Sequence, residues 1–337
     1  MSRQDDPAGL AGSAGSLASV GEFGLIAAMA SLFPPVPLAT VGIGDDSAVL
    51  ATPAGNVVAA VDFLLEGRHF RRDWSAAFDV GVKAAARSLA DIAAMGAAST
   101  ALLVALALPD SLPADWALEF ASGLAAECDR AGAGVVGGDT AQAGSVIVSV
   151  TALGSMPEGV DPVRRRGARP GDVVAVTGPL GHSAAGLALL SANVRDHPDL
   201  VAAHLRPRPP YAAGLAAARC GATAMIDTSD GLLADLGHVA EASGVAIDLL
   251  TASLPVGDLL TAAAIEITAI TEPPPAPTSL ALSWVLTGGE DHSLAATFPA
   301  SAGLPEGWRV VGSVHAGAGV TVDGAPMAGP GGWQHFR

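Results

Sequence analysis

Val41-Gly42-Ile43-Gly44-Asp45-Asp46-Ser47-Ala48-Val49-Leu50 places two adjacent carboxylates inside an apolar run, directly after two glycines. Two like charges about 4 Å apart repel by about 4 kcal/mol at an effective dielectric near 20. A cation would relieve that. Gly42 and Gly44 permit a tight turn or a close approach of backbone to ligand, while Ile43, Ala48, Val49 and Leu50 anchor the segment to a core. Gly-Asp-Asp also composes ordinary surface turns. Alone, the stretch leaves a turn and a metal site both open, and the rest of the chain has to decide.

Further carboxylates arrive in a similar setting on both sides of the chain's midpoint. Asn56 to Asp62 reads as a buried strand ending in a carboxylate, followed by a loop carrying His69. A long Ala-rich helix is expected over about 75–96, with Lys83, Arg87 and Asp91 four apart and therefore on one face. The plain reading is a solvated ladder of charges. Against it, Asp91 lies in Leu-Ala-Asp-Ile-Ala-Ala-Met-Gly, too apolar a setting for an unpartnered carboxylate. A strand over 100–108 and a helix over 113–131 follow. A short strand over 132–138 then delivers Asp139 behind two glycines, and Ser145 to Gly154 closes this half. Strands and helices in these numbers suit an α+β layer structure.

Arg164-Arg165-Arg166-Gly167 is a basic patch at the boundary of the second half. It reads either as a solvated linker or as guanidinium groups for a phosphate. A strand over 172–177 leads into Gly178-Pro179-Leu180-Gly181, a glycine-rich helix start of the kind that binds anions. Another strand, 222–226, leads into Asp227-Thr228-Ser229-Asp230-Gly231 and a helix to about 242. One of these residues has a capping task, yet two carboxylates three apart exceed it. Pro273 to Pro277 marks a surface loop. Ser283 to Thr287 reads as a strand ending in Gly288-Gly289-Glu290-Asp291, and 308–322 as terminal strands.

The 337 residues allow two domains. Half are hydrophobic, mostly Ala, Val and Leu, the profile of an α/β protein. The apolar stretch 92–108 is broken by Gly, Ser and Thr, short of the roughly 18 continuous apolar residues of a membrane span. Residues 1–20 lack the pattern of an export signal and read as a disordered tail, so a cytoplasmic setting and no membrane partner are expected. Cys128 and Cys220 are too few for a disulfide or thiolate framework and read as small core residues. A formal charge of −16, with one lysine, Lys83, argues against nucleic acid as a partner. Metal ions between protein and ligand would still allow an anionic substrate.

Taken in order, Gly-Asp-Asp46, the strand to Asp62, Asp91 before Met-Gly, Gly-Gly-Asp139, Asp227-x-Ser-Asp-Gly and Gly-Gly-Glu-Asp resemble the thiamine-monophosphate kinases, from Gly21 to Phe336. That family lies in the superfamily of aminoimidazole ribonucleotide synthetase and selenophosphate synthetase. The resemblance implies an α/β (α+β) protein of the two-domain aminoimidazole-ribonucleotide-synthetase-like fold. Residues 21–158 would form an N-terminal domain for metal, ATP and dimer contacts, and 159–337 a C-terminal one. It further implies a homodimer whose N-terminal sheets pair across the interface, and transfer of a phosphoryl group from ATP to thiamine monophosphate with several Mg²⁺ ions. By the same resemblance Asp46, Asp62, Asp91, Asp139, Asp227 and Asp230 are the metal ligands, with Asp46, Asp62 and Asp91 the catalytic ones. Gly138, Asp139, Arg166 and Ser229 would contact ATP; His69, Glu290 and Trp333 would contact the thiamine substrate.

Two departures stand out. Ala60 and Val61 replace the family's usual hydroxyl residues before Asp62, which predicts weaker occupancy of one metal position. His292 and Ser293 replace the commoner Tyr-Glu. The alternatives are another ATP-dependent enzyme of the superfamily, such as aminoimidazole ribonucleotide synthetase, a nucleotide-binding regulatory protein without turnover, or a structural acidic protein whose aspartates cap helices and turns.

Overall fold

The structure, a computed structural model, describes residues 22–41, 49–51, 56–327 and 331–333. The tail at 1–20 and the Gly-Asp-Asp46 motif lie outside the described residues. The chain divides into two compact units. One gathers the described residues up to Ser88 with Ser99–Ser155; the other holds Leu89–Ala98 and the described residues from Met156 on.

In the first half of the chain, α1 (Glu22–Ala30), β1 (Ala39–Val41) and β2 (Val49–Leu50) precede β3 (Val57–Leu65), α2 (Ala77–Ala94), β4 (Ala98–Leu108), α3 (Ala114–Ala131), β5 (Gly134–Gln142) and β6 (Ile147–Ser155); all lie in the N-terminal unit except the end of α2 from Leu89 and the first residue of β4, Ala98. The main sheet runs β3-β6-β4-β5, with β3 antiparallel to β6 and β4 parallel to β5. Its two faces differ in kind. Val148, Val150 and Ala152 of β6, with Val104 and Leu106 of β4, are buried, whereas Val57, Val61 and Phe63 of β3 and Leu103 of β4 are exposed. The alternation is that of a half-covered antiparallel strand. Helices α2 and α3 cross closely, because a Cβ on Gly81 would stand 2.1 Å from the Phe120 carbonyl oxygen, and one on Gly123 2.1 Å from that of Phe78.

The strand at 56–62 is longer than its sequence indicates. It continues to Leu65, so Asp62 sits within β3 and not at its end. Asp139 likewise lies inside β5, opposite Ala105. Each carboxylate is tolerated because its position is partly or fully exposed.

The C-terminal unit carries β7 (Asp172–Thr177), α4 (His182–Ser191), α5 (Pro198–Leu205), α6 (Tyr211–Arg219), β8 (Ala224–Asp227), α7 (Leu232–Ser243), β9 (Ala246–Leu249), α8 (Asp258–Ala269), α9 (Pro277–Thr287), β10 (Leu294–Pro299), β11 (Arg309–His315) and β12 (Gly319–Val322). Its sheet runs β12-β9-β11-β7-β10-β8 and is antiparallel except for the β12/β9 pair. Both faces are covered. Val174, Val176 and Ala295 pack into one core with α4 and α7 to α9, and Ala175, Ala296 and Phe298 into another with Trp308 and Ala217.

Two expectations are corrected here, and one open reading is decided. Residues 283–287 belong to helix α9, not to a strand. Lys83 and Arg87 do not form a solvated ladder: Lys83 is 2% exposed and Arg87 has an 11% exposed side chain. Cys220 is exposed, and only Cys128 is a core residue. Burial pushes the Cys128 thiol up to about 12, with a smaller contribution from Glu127.

Candidate active site

Within the N-terminal unit, the chemistry gathers where α2 lies against β3. Asp62 stands opposite Val150 on the covered face of the sheet. The Ser88 hydroxyl is 3.3 Å from Asp62 Oδ2 and 3.2 Å from the Val150 carbonyl oxygen, and Arg87 stands 3.9 Å from Oδ1. Lys83 donates from Nζ to the His69 carbonyl oxygen at 3.0 Å, which fixes the loop after β3. In that loop the Leu65 N–H donates to His69 Nδ1 at 3.0 Å. A ring nitrogen that accepts cannot carry the proton, so neutral His69 holds it on Nε2. Glu66 completes the loop by accepting from Arg72 and from the Val146 N–H. Burial opposes its charge, but these bonds hold its carboxyl below the usual range.

Ala60, two residues before Asp62, shares its face of the strand, whereas Val61 points to the opposite, exposed face. Only the first of the two missing hydroxyls could therefore have served Asp62 directly. On β5 the Gly-Gly pair has a packing cause: a Cβ on Gly138 would stand 2.0 Å from the Val104 carbonyl oxygen. Asp139 is exposed and accepts from the Thr140 N–H at 2.9 Å. By register it lies with Ala105 on the open face, so the unit does not bring Asp139 and Asp62 together.

In the C-terminal unit two loops are laced together at one end of the sheet. Asp227 is the last residue of β8 and 3% exposed. The Thr228 N–H donates to the Ser293 carbonyl, the His292 N–H to that of Thr228, and the Glu290 N–H to that of Ser229, at 2.8, 3.0 and 2.8 Å. His292, also 3% exposed, sets Nδ1 3.1 Å from Asp227 Oδ2. Its Nε2 has no partner among the described residues. Glu290 and His292 both have positive φ, 63° and 51°, a cost of about 1–3 kcal/mol each that persists only where surroundings enforce it. Ser229 and Asp230 remain partly exposed. The Trp333 N–H donates to the Asp230 carbonyl at 2.9 Å, leaving a 56% exposed indole beside the loop.

Two further aspartates hold this end in place: Asp235, which the sequence alone does not single out, and Asp291, which it marks only as the last residue of the Gly-Gly-Glu-Asp motif. Asp235 Oδ2 accepts from the Asp230 and Gly231 N–H groups at 3.2 and 3.0 Å. Burial, then the nearby Asp227, pushes its carboxyl up to about 8. It caps α7 from within the first turn, a task expected of residues 227–231; its place four residues after Gly231 was the available signal. Asp291 accepts from the Gly181 and Ser183 N–H groups at 2.6 and 2.8 Å. The glycine-rich start of α4 is thus filled by a carboxylate of the chain and is no open anion site. Ser183 bonds His204 Nδ1 at 3.1 Å, and Glu290 Oε2 stands 4.0 Å from the same nitrogen.

Asp91 is half-buried on α2, and Arg166 is exposed on the loop before β7. Asp46 lies outside the described residues. Among the described residues no group of three or more His, Cys, Asp or Glu side chains converges closely enough to hold a metal ion. No helix among them is long and apolar enough to cross a membrane.

The AIR synthase related protein N-terminal domain family matches residues 44–156, and its C-terminal domain counterpart matches 169–272. A thiamine-monophosphate kinase of Mycobacterium tuberculosis is 46% identical over 329 residues, 97% of this chain and 95% of that protein. The chain belongs to the thiamine-monophosphate kinase family. The solved structure described as AaThiL complexed with AMPPCP and TMP matches with a TM-score of 0.76 at 33% identity, covering 95% of this chain and 98% of that one. The kinase of Stenotrophomonas maltophilia K279a matches at 0.74 and 33%, covering 86% and 93%. The two-domain α/β fold of this kinase family is therefore the fold of the chain.

Proposed function

We propose that the chain transfers the γ-phosphoryl group of ATP to the phosphate of thiamine monophosphate, giving thiamine diphosphate and ADP. The observation that carries this reading is 46% identity across 97% of the chain to a kinase of that name. The nucleotide analogue and TMP in the AaThiL complex agree with it. A phosphomonoester with a second pKa of about 6 is largely dianionic at neutral pH, so the acceptor needs no strong general base. The barrier is repulsion between two anionic phosphates, and positioning with charge neutralisation is what the protein must supply.

The donor set fits Mg²⁺, which takes carboxylate oxygens. Asp227, Asp230 and Glu290 gather at one end of the C-terminal sheet, where the carboxyls of the neighbouring Asp235 and Asp291 are raised to about 8 and about 7, and a divalent cation there would offset carboxylate charge. Asp46, Asp62, Asp91, Asp139, Asp227 and Asp230 would hold the ions. Bound Mg²⁺ supplies neutralisation of the β- and γ-phosphates. Gly138, Asp139, Arg166 and Ser229 contact ATP in this reading. His69 offers Nε2–H to the acceptor phosphate, Trp333 offers a ring face to the cationic thiazolium, and Glu290 offers it a counter-charge. Transfer is direct, with no phosphoenzyme.

Incubation with ATP, Mg²⁺ and thiamine monophosphate tests this. Thiamine diphosphate should appear in step with ADP and fall at least a hundredfold in Asp227→Asn. ATP hydrolysis without thiamine diphosphate, or a labelled phosphoprotein trapped during turnover, would overturn the reading.

The working unit is a homodimer formed through the open face of the N-terminal sheet, supported by the contiguous exposure of Val57, Val61 and Phe63. Free cysteines and a charge of −16 suit a cytoplasmic setting.

A further inference from the structure

The basic patch at 164–166 is only partly absorbed by the kinase reading. In the C-terminal unit a cavity of about 610 Å³ is lined by Arg164, Arg166, Arg169 and Arg219, with Asp161 as its one acidic residue. The volume is that of an ordinary small-molecule site. In a chain of charge −16 with 17 basic residues, four guanidinium groups around one cavity are a strong local departure. None of the four makes a hydrogen bond or ion pair through its side chain among the described residues.

The loop that presents them is held firmly. The Val163 N–H donates to the Met95 carbonyl, and the Met225 N–H to that of Arg164. The Gly167 and Ala168 N–H groups both donate to Ser243 Oγ, at 3.1 and 3.2 Å, and that hydroxyl donates to the Arg165 carbonyl. The Arg169 N–H is taken by Asp172 Oδ2 at 2.9 Å. With the backbone fixed, four guanidinium groups line one cavity with only the single carboxylate of Asp161 to offset them, an arrangement an anion stabilises. Guanidinium forks match phosphate oxygens in pairs, and Val160 adds an apolar wall.

We propose that this cavity binds a small molecule bearing a phosphate or diphosphate group, at a site separate from that of the ATP consumed. Arg166 is the one member that the nucleotide contacts also claim; Arg164, Arg169 and Arg219 are otherwise unassigned.

Calorimetric titration of the full chain with inorganic pyrophosphate tests it, in EDTA so that no metal-bound anion is read. One pyrophosphate should bind per chain. Arg219→Ala should weaken it about tenfold and the Arg169→Ala/Arg219→Ala pair about a hundredfold, the lower range for a hydrogen bond to a charged group. The KM for ATP should stay unchanged in both. Arg219→Gln, which removes the charge and the guanidinium fork but keeps a polar side chain, repeats the test should the alanine pair fail to fold. Absence of binding, or equal binding by wild type and variants, overturns the proposal. So does displacement of pyrophosphate by ATP together with a raised KM for ATP in the variants, the result expected of a cavity that is only part of the nucleotide site.

Discussion

At the scale of single residues, Asp291 separates a carboxylate that builds the site from one that works in it. It is 3% exposed and accepts the first N–H groups of α4, yet burial, reinforced by Glu290, raises its carboxyl to about 7. His182 gives it a backbone bond, and His204 lies behind Ser183. Because the folded value exceeds the unfolded value near 3.8, this group favours folding below pH 4 and loses that contribution as pH climbs to about 7. Denaturant melts between pH 4 and 8 should show wild type losing a few kcal/mol relative to Asp291→Asn, which keeps an acceptor without the titration; parallel curves would refute the assignment. His292 is the second such residue. His292→Phe leaves Asp227 Oδ2 buried without its donor, a cost of about 1–3 kcal/mol. His292→Asn should recover part of it, and equal melting of both variants with wild type would show that the pair contributes nothing.

At the scale of elements, much of the order of strands and helices was legible, and the failures have physical causes. Ser283-Trp284-Val285-Leu286-Thr287 is apolar and rich in β-branched and aromatic side chains, and a run of five cannot be told from a buried helical segment by periodicity. Pro277 at the first position of α9 was the better signal, since proline suits a helix start. Asp62 and Asp139 were read as strand ends because a carboxylate usually interrupts an apolar run, whereas partial exposure lets both strands continue through them. Gly138 shows the same interplay in reverse. Its sequence setting suggests a ligand, and its backbone shows a strand pressed against the Val104 carbonyl. Gly138→Ala should therefore destabilise the N-terminal unit by about 2 kcal/mol or more, as overpacking does. An unchanged melt with a raised KM for ATP would give the glycine wholly to the nucleotide.

At the scale of the whole molecule, the carboxylate motifs are spread over two compact units, so their order in sequence identifies the family while their joint geometry stays illegible in the sequence. The open face of the N-terminal sheet makes a sharper claim. Val61 is 61% and Phe63 57% exposed on adjacent outward positions of β3, and the apolar residue at 61, read from sequence as a lost hydroxyl of the metal site, belongs to that face. A single chain gains nothing from exposing it; in the proposed homodimer a second copy would cover it. In a two-fold interface each substitution acts twice. Val61→Asp and Phe63→Asp should each leave the chain folded, since neither side chain packs against the core, yet shift sedimentation equilibrium from dimer to monomer, with dissociation raised about a hundredfold if each site costs about 1.5 kcal/mol or more. A dimer that survives both substitutions would assign the contact to another surface, and a wild-type chain that sediments as a monomer would remove the second copy altogether.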